Sequence, residues 1–109
     1  MKSNYKQLGI TAKEAIESNK TFYAKKWQTN NFYPIDKFVY NAEKNAYEHF
    51  CTKTNNGTPY WRSRGIAFEN GTGEKNNPTN KEWWQSIFEH NCYILSFEEM
   101  TNEREFDLT

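Results

Sequence analysis

Two His-x-Cys pairs, His49-Phe50-Cys51 and His90-Asn91-Cys92, carry the most specific chemistry that this chain could perform. On a strand, residues i and i+2 share a face, so each pair would set an imidazole beside a thiolate. Two such strands facing each other would offer a tetrahedral His2Cys2 set for zinc. Against this, no CxxC knuckle accompanies them, and buried Cys with half-exposed His explains the same residues. A Cys51–Cys92 disulfide has no secretion signal to support it. The purified protein is therefore expected to hold no stoichiometric zinc and no other cofactor. No spacing singles out a nucleophile with an oriented base, no Gly-rich loop cradles phosphate, and no helix pairs two His. The chain is expected not to be an enzyme.

A different kind of chemistry is available at Tyr60-Trp61-Arg62, which lies in a stretch rich in Gly, Asn and Pro. A Trp flanked by Tyr and Arg either folds back onto the core or offers a flat platform. Sugar rings stack on such platforms, and hot spots of protein interfaces use the same residue types. Of the adjacent Trp83 and Trp84, strand alternation would bury one and expose the other. Trp84, with Ile87 behind it, is assigned to the core. Tyr60, Trp61, Arg62 and Trp83 are thus the candidate ligand-binding residues.

The elements that must position them are legible in part. Thr11-Ala12-Lys13-Glu14 is a capping-box sequence, which predicts a short helix over 11–18 with Ala12, Ala15 and Ile16 as its apolar stripe. Strands are expected at 21–27, 35–40, 46–52 and 92–97, the middle two joined by a polar turn at 41–45. From Thr54 to Asn80 the composition predicts a long loop with one short strand at 64–69. Lys81 to Ile87 reads as a helical turn or a last strand. The fold class is mainly β: a small antiparallel module with a short N-terminal helix, an aromatic core and long loops. Three segments follow: an N-terminal extension over 1–26, the β domain over 27–97, and an acidic tail over 98–109.

Composition explains why the core must be aromatic. The chain of 109 residues has four Trp, seven Tyr and eight Phe but one Val and three Leu. Each aromatic ring can bury about 150–250 Å², which the few aliphatic residues cannot match. Trp27, Tyr40, Tyr47 and Trp84 are accordingly expected to be buried and in mutual contact. The 14 basic and 14 acidic residues cancel, which argues against nucleic acid as a partner. Their distribution is uneven: residues 1–65 hold 11 basic against 5 acidic, and residues 66–109 hold 3 against 9. A basic half and an acidic half could attract each other between neighbouring copies, so a homo-oligomer is admitted. No apolar stretch suits a membrane span, and the N-terminus lacks a signal-peptide core.

Residues 27–87 resemble the small chitin-binding-type carbohydrate-binding modules of families 5 and 12, and more closely the related modules of phage structural proteins. The resemblance rests on Trp27, on Tyr33 with Asp36, Phe38 and Tyr40, on Tyr47, on Asn55-Asn56-Gly57, and on Pro78, Trp84 and Ile87. An insertion carrying Tyr60 and Trp61 departs from the pattern, and the family's exposed aromatic pair has no clean counterpart. The resemblance implies a non-catalytic binding or structural module, associated with a phage virion and made in the host cytoplasm. Its partners would be other virion proteins or cell-surface glycan. Two alternatives are carried beside it: a small cytosolic phage protein that inhibits a host defence factor, and a zinc-stabilised accessory domain.

Overall fold

The described residues build one six-stranded sheet with two helices laid on one of its faces. The computed structural model describes residues 8–26, 35–55, 58–74 and 76–99. In chain order the elements are β1 (Leu8–Gly9), α1 (Ala12–Ser18), β2 (Phe22–Lys26), β3 (Asp36–Asn41), β4 (Ala46–Asn55), β5 (Thr58–Gly65), α2 (Asn80–His90) and β6 (Tyr93–Ser96). The strand order is β1-β6-β2-β3-β4-β5. Short β1 runs parallel to β6 at one edge; the other five strands are mutually antiparallel. The protein is thus mainly β, with an aromatic core and the short N-terminal helix expected from its capping box. Thr11 Oγ1 accepts from Glu14 N at 3.0 Å, and Glu14 Oε1 accepts from Thr11 N at 3.0 Å.

Alternation along the strands sorts the side chains between the two faces. Phe22, Ala24, Phe38, Tyr47 and Leu95 turn toward the helices, where Ala12, Ala15, Ile16 and Phe88 complete the buried core. Phe22 is its hub: it stacks on Phe38 at 5.0 Å and meets Tyr47 and Phe88 edge-on at 5.1 and 5.7 Å. Such offset and edge-to-face pairs are the favoured aromatic arrangements. On the opposite face Ile35 and Ile94 form a smaller buried cluster, against which Tyr23 and Trp61 pack. Of the four rings expected in the core, Tyr47 is fully buried, while Tyr40 and Trp84 are half-buried at its margin. Trp27 lies outside the described residues.

The long loop expected from Thr54 to Asn80 is the main correction. Its first part is strand: β5 pairs with β4 from Asn55↔Thr58 to His49↔Gly65, and the segment 64–69 contributes only its first two residues. Its second part, 66–79, is a turn-rich connection held by its own hydrogen bonds. Gly71 N donates to Phe68 O at 2.9 Å, and Thr72 N and Gly73 N both donate to Asn77 O at 3.0 Å. Gly71 is needed there, since a Cβ would collide with the Pro78 carbonyl.

The segment after it takes the helical of the two alternatives and extends it to a three-turn helix. Thr79 caps it with the same Thr-x-x-Glu box as α1: Thr79 Oγ1 accepts from Glu82 N at 3.2 Å, and Glu82 Oε1 accepts from Thr79 N at 2.9 Å. Helical spacing therefore replaces strand alternation at Trp83 and Trp84, and Trp84, Ile87 and Phe88 form the inward side.

Burial has a consequence for alkaline stability. Desolvation, with the Asp36 charge adding to it, pushes the Tyr93 phenol up to about 12. Burial raises Tyr47 as well. Both phenols ionise near pH ~10 in an unfolded chain. A phenol that resists ionisation in the folded state contributes stability that is fully present below pH ~10 and is lost as pH rises toward ~12. The melting temperature should fall across that window, and Tyr93→Phe should make the fall shallower. A variant as alkali-sensitive as the parent would acquit Tyr93.

Candidate functional site

β5 carries three of the four candidate binding residues and lies at the edge of the sheet. Two residues, Asn56-Gly57, connect it to β4, a dipeptide favoured in tight hairpins. In this register, with Thr52 N donating to Ile35 O on the β3 side, Thr58, Tyr60 and Arg62 turn their backbone groups toward β4, and Pro59 and Trp61 turn theirs outward. Pro59 fits because an outward position asks nothing of its missing N–H. No described strand pairs with this outer side.

The side chains of β5 divide by alternation. Tyr60 and Arg62 are exposed on the helix side of the sheet, Tyr60 with 46% of its surface accessible; the register shifts at Ser63–Gly65, where Arg64 is the extra residue and is likewise exposed. Trp61 points to the opposite face, where it is half-buried. Its ring lies 5.9 Å from that of Tyr23. The Lys37 ammonium sits 4.7 Å from the Trp61 centroid and 5.1 Å from that of Phe50, a cation held between two rings. Trp61 is therefore both things weighed for it: it leans on the Ile35–Ile94 cluster with one side and remains accessible with another. Lys37 and Phe50 are the residues that sequence reasoning missed. They share the face of Trp61 only through the β3–β4–β5 register, which no local pattern reveals.

Trp83 is elsewhere. It lies on α2 against Phe68, ring centroids 4.8 Å apart, on the helix side of the sheet. The four candidates consequently do not form one surface. Near Trp83, a cleft of about 160 Å³ opens at the start of α2 between Lys44, Asn45, Phe68, Glu69, Thr79 and Lys81. Its polar groups are engaged with one another or nearby. Lys44 pairs with Glu69, Thr79 is in the capping box, and Lys81 Nζ donates to Asn19 Oδ1 at 2.7 Å.

The His-x-Cys residues are likewise dispersed. His49 and Cys51 share the helix-side face of β4 as expected. His90, however, ends α2, and Cys92 follows in a turn at φ 53°, so the second pair is not on a strand. His49 Nε2 and Asp36 Oδ1 are 2.8 Å apart, and the imidazole stacks on Phe38 at 4.8 Å. Cys51 is buried, and both thiols are free. Among the described residues no group of three or more His, Cys, Asp and Glu side chains is placed to hold a metal ion.

The residues carrying the resemblance fall on β3 (Asp36, Phe38, Tyr40), β4 (Tyr47) and α2 with its approach (Pro78, Trp84, Ile87). Asn55 ends β4, and Trp27, Tyr33, Asn56 and Gly57 lie outside the described residues. No family model, curated protein or solved structure matches the chain.

Proposed function

We propose that this chain is a non-catalytic attachment module of a phage particle, and that β5 presents Tyr60, Trp61 and Arg62 to another particle protein or to surface glycan. The virion setting follows from the resemblance in residues 27–87. The observation that carries the binding role is the held but accessible Trp61, with Tyr23 at 5.9 Å and the Lys37 ammonium at 4.7 Å. A ring already immobilised by its neighbours loses little conformational freedom when a partner covers it, so more of the contact appears as affinity. Tyr60 and Arg62 flank it on the other face, which suits a partner that wraps the sheet edge. Trp83 with Phe68 forms a separate aromatic patch and is left out of this site.

Trp61→Ala tests the reading. Attachment to particles or glycan should weaken by at least about 2 kcal/mol, roughly 30-fold in Kd. Because one side of the ring leans on the Ile35–Ile94 cluster, the fold should also lose about 1–2 kcal/mol, a cost that leaves a domain of this size folded. Co-purification with intact particles, compared for parent and variant, is the measurement. A variant that stays folded and attaches like the parent removes Trp61 from the site.

A further inference from the structure

Strands β2 to β5 carry six Lys and Arg residues but only two acidic ones, Asp36 and Glu48. Both carboxylates are engaged. Asp36 Oδ1 lies 2.8 Å from His49 Nε2, and Glu48 Oε2 accepts from Ser63 Oγ at 2.6 Å. Neither pairs with Lys37 on β3. Its ammonium lies against the faces of Trp61 and Phe50, 4.7 and 5.1 Å from their centroids, and no carboxylate among the described residues forms an ion pair with it.

This ammonium differs from that of an ordinary surface lysine. A flexible four-carbon stem normally leaves the charge mobile and strongly hydrated. Here two ring faces hold it by cation–π attraction, and Lys37, Phe50, Trp61 and Tyr23 are all half-buried. The attraction to a ring leaves the three N–H donors available to an oxygen. An oxyanion that arrives there meets a charge already in place, and little freedom is lost in ordering it. One acidic group borders the far side of this notch: desolvation and the Glu99 charge raise the Tyr23 phenol. Glu99 forms no ion pair with Lys37.

The size of the notch restricts its occupant. Four half-buried side chains expose far less than the ~800 Å² that each partner of a stable protein interface buries. One or two sugar units match that scale. Their CH-rich faces suit the accessible parts of the rings, and an acidic substituent suits Lys37.

We propose that the notch formed by Lys37, Phe50 and Trp61 binds an acidic glycan, with a carboxylate or phosphodiester oxygen on the Lys37 ammonium and the sugar or polyol carbons against the rings. This rests on the attachment role of Trp61 and names the kind of surface chain that it meets.

Isothermal titration of the full chain with three soluble probes tests this: a galacturonic acid tetramer, a glycerol phosphate oligomer and a neutral N-acetylglucosamine tetramer. At least one anionic probe should bind, less tightly as salt is added, and the neutral one should bind at least about tenfold more weakly. Which anionic probe binds separates a carboxylated glycan from a phosphodiester chain. Lys37→Met keeps a flexible stem against both rings but removes the charge, and should weaken binding at least about tenfold. Lys37→Arg, which keeps a cation that stacks on aromatic faces, should retain most of it. Lys13→Met removes the same charge from an exposed position on α1, across the sheet from the notch, and should change nothing.

Failure of both anionic probes to bind overturns the proposal, as does equal binding of the neutral one. Equal losses from Lys37→Met and Lys13→Met overturn it too, since the attraction would then be diffuse. If Trp61→Ala still releases the protein from particles in those cases, the attachment reading stands and only the acidic ligand falls.

Discussion

Replacing Asn80 with alanine is expected to destabilise the fold by about 3–5 kcal/mol, although the residue is small and polar. β5 ends at Gly65 opposite His49, so Tyr47, two residues on along β4, has no strand beside it to continue the ladder. The Asn80 carboxamide stands in for the missing peptide. Its oxygen accepts from Tyr47 N at 2.6 Å, and its nitrogen donates to Tyr47 O at 3.1 Å and to Ala67 O at 2.7 Å. The side chain is buried, 3% exposed, so water cannot replace these bonds without opening the structure.

One amide thus ties the start of α2, β4 and the 66–79 connection together. Alanine leaves three main-chain groups unsatisfied, at about 1–3 kcal/mol for each buried group. Asn80→Asp is expected to be at least as harmful. It keeps an acceptor for Tyr47 N but sets a carboxylate against two carbonyl oxygens. Urea unfolding of the three proteins is the measurement. A loss below about 1 kcal/mol for Asn80→Ala would mean that solvent reaches Tyr47.

The same region marks where sequence reading succeeds and fails. Thr11-Ala12-Lys13-Glu14 announces α1, and Thr79-Asn80-Lys81-Glu82 spells the same box for α2. The second is masked by what surrounds it, because Pro78 before it and Trp83-Trp84 within it read equally well as the approach to a strand. β5 is hidden for a related reason. Pro59, Arg62, Ser63, Arg64 and Gly65 are poor strand formers, and only an edge position tolerates them. The Asn56-Gly57 dipeptide was the available signal, a hairpin turn between β4 and whatever follows.

Of the site, the residue types at Tyr60, Trp61 and Arg62 were legible, but their division between two faces was not, since that required knowing that they form a strand. Lys37 and Phe50 join Trp61 through pairing across three strands, and Lys25 is fully buried on that same face of β2. Contacts of this kind depend on register, which local patterns do not encode.

Phe38→Ala should cost about 3–5 kcal/mol, a large share of a total stability on the order of 5–15 kcal/mol. Phe38 is fully buried, and four rings converge on it: Phe22 at 5.0 Å, Phe88 at 5.2 Å, Trp84 at 4.7 Å and His49 at 4.8 Å. With so few aliphatic residues in the chain, little flexible side chain stands ready to collapse into the space, so most of the cavity should persist. Trp84→Ala, at the margin of the same cluster, should cost less, about 2–3 kcal/mol, because part of the indole is already in water.

The indole nitrogen sharpens the comparison. Nε1 of Trp84 is buried with no hydrogen-bond partner among the described residues. Trp84→Phe removes that unmatched donor together with some apolar surface, and the two effects should offset to within about 1 kcal/mol. The expected order of stability is therefore parent and Trp84→Phe together, then Trp84→Ala, then Phe38→Ala. If Trp84→Ala proved the more damaging, the centre of the core would lie under α2 rather than at the β2–β3 pair.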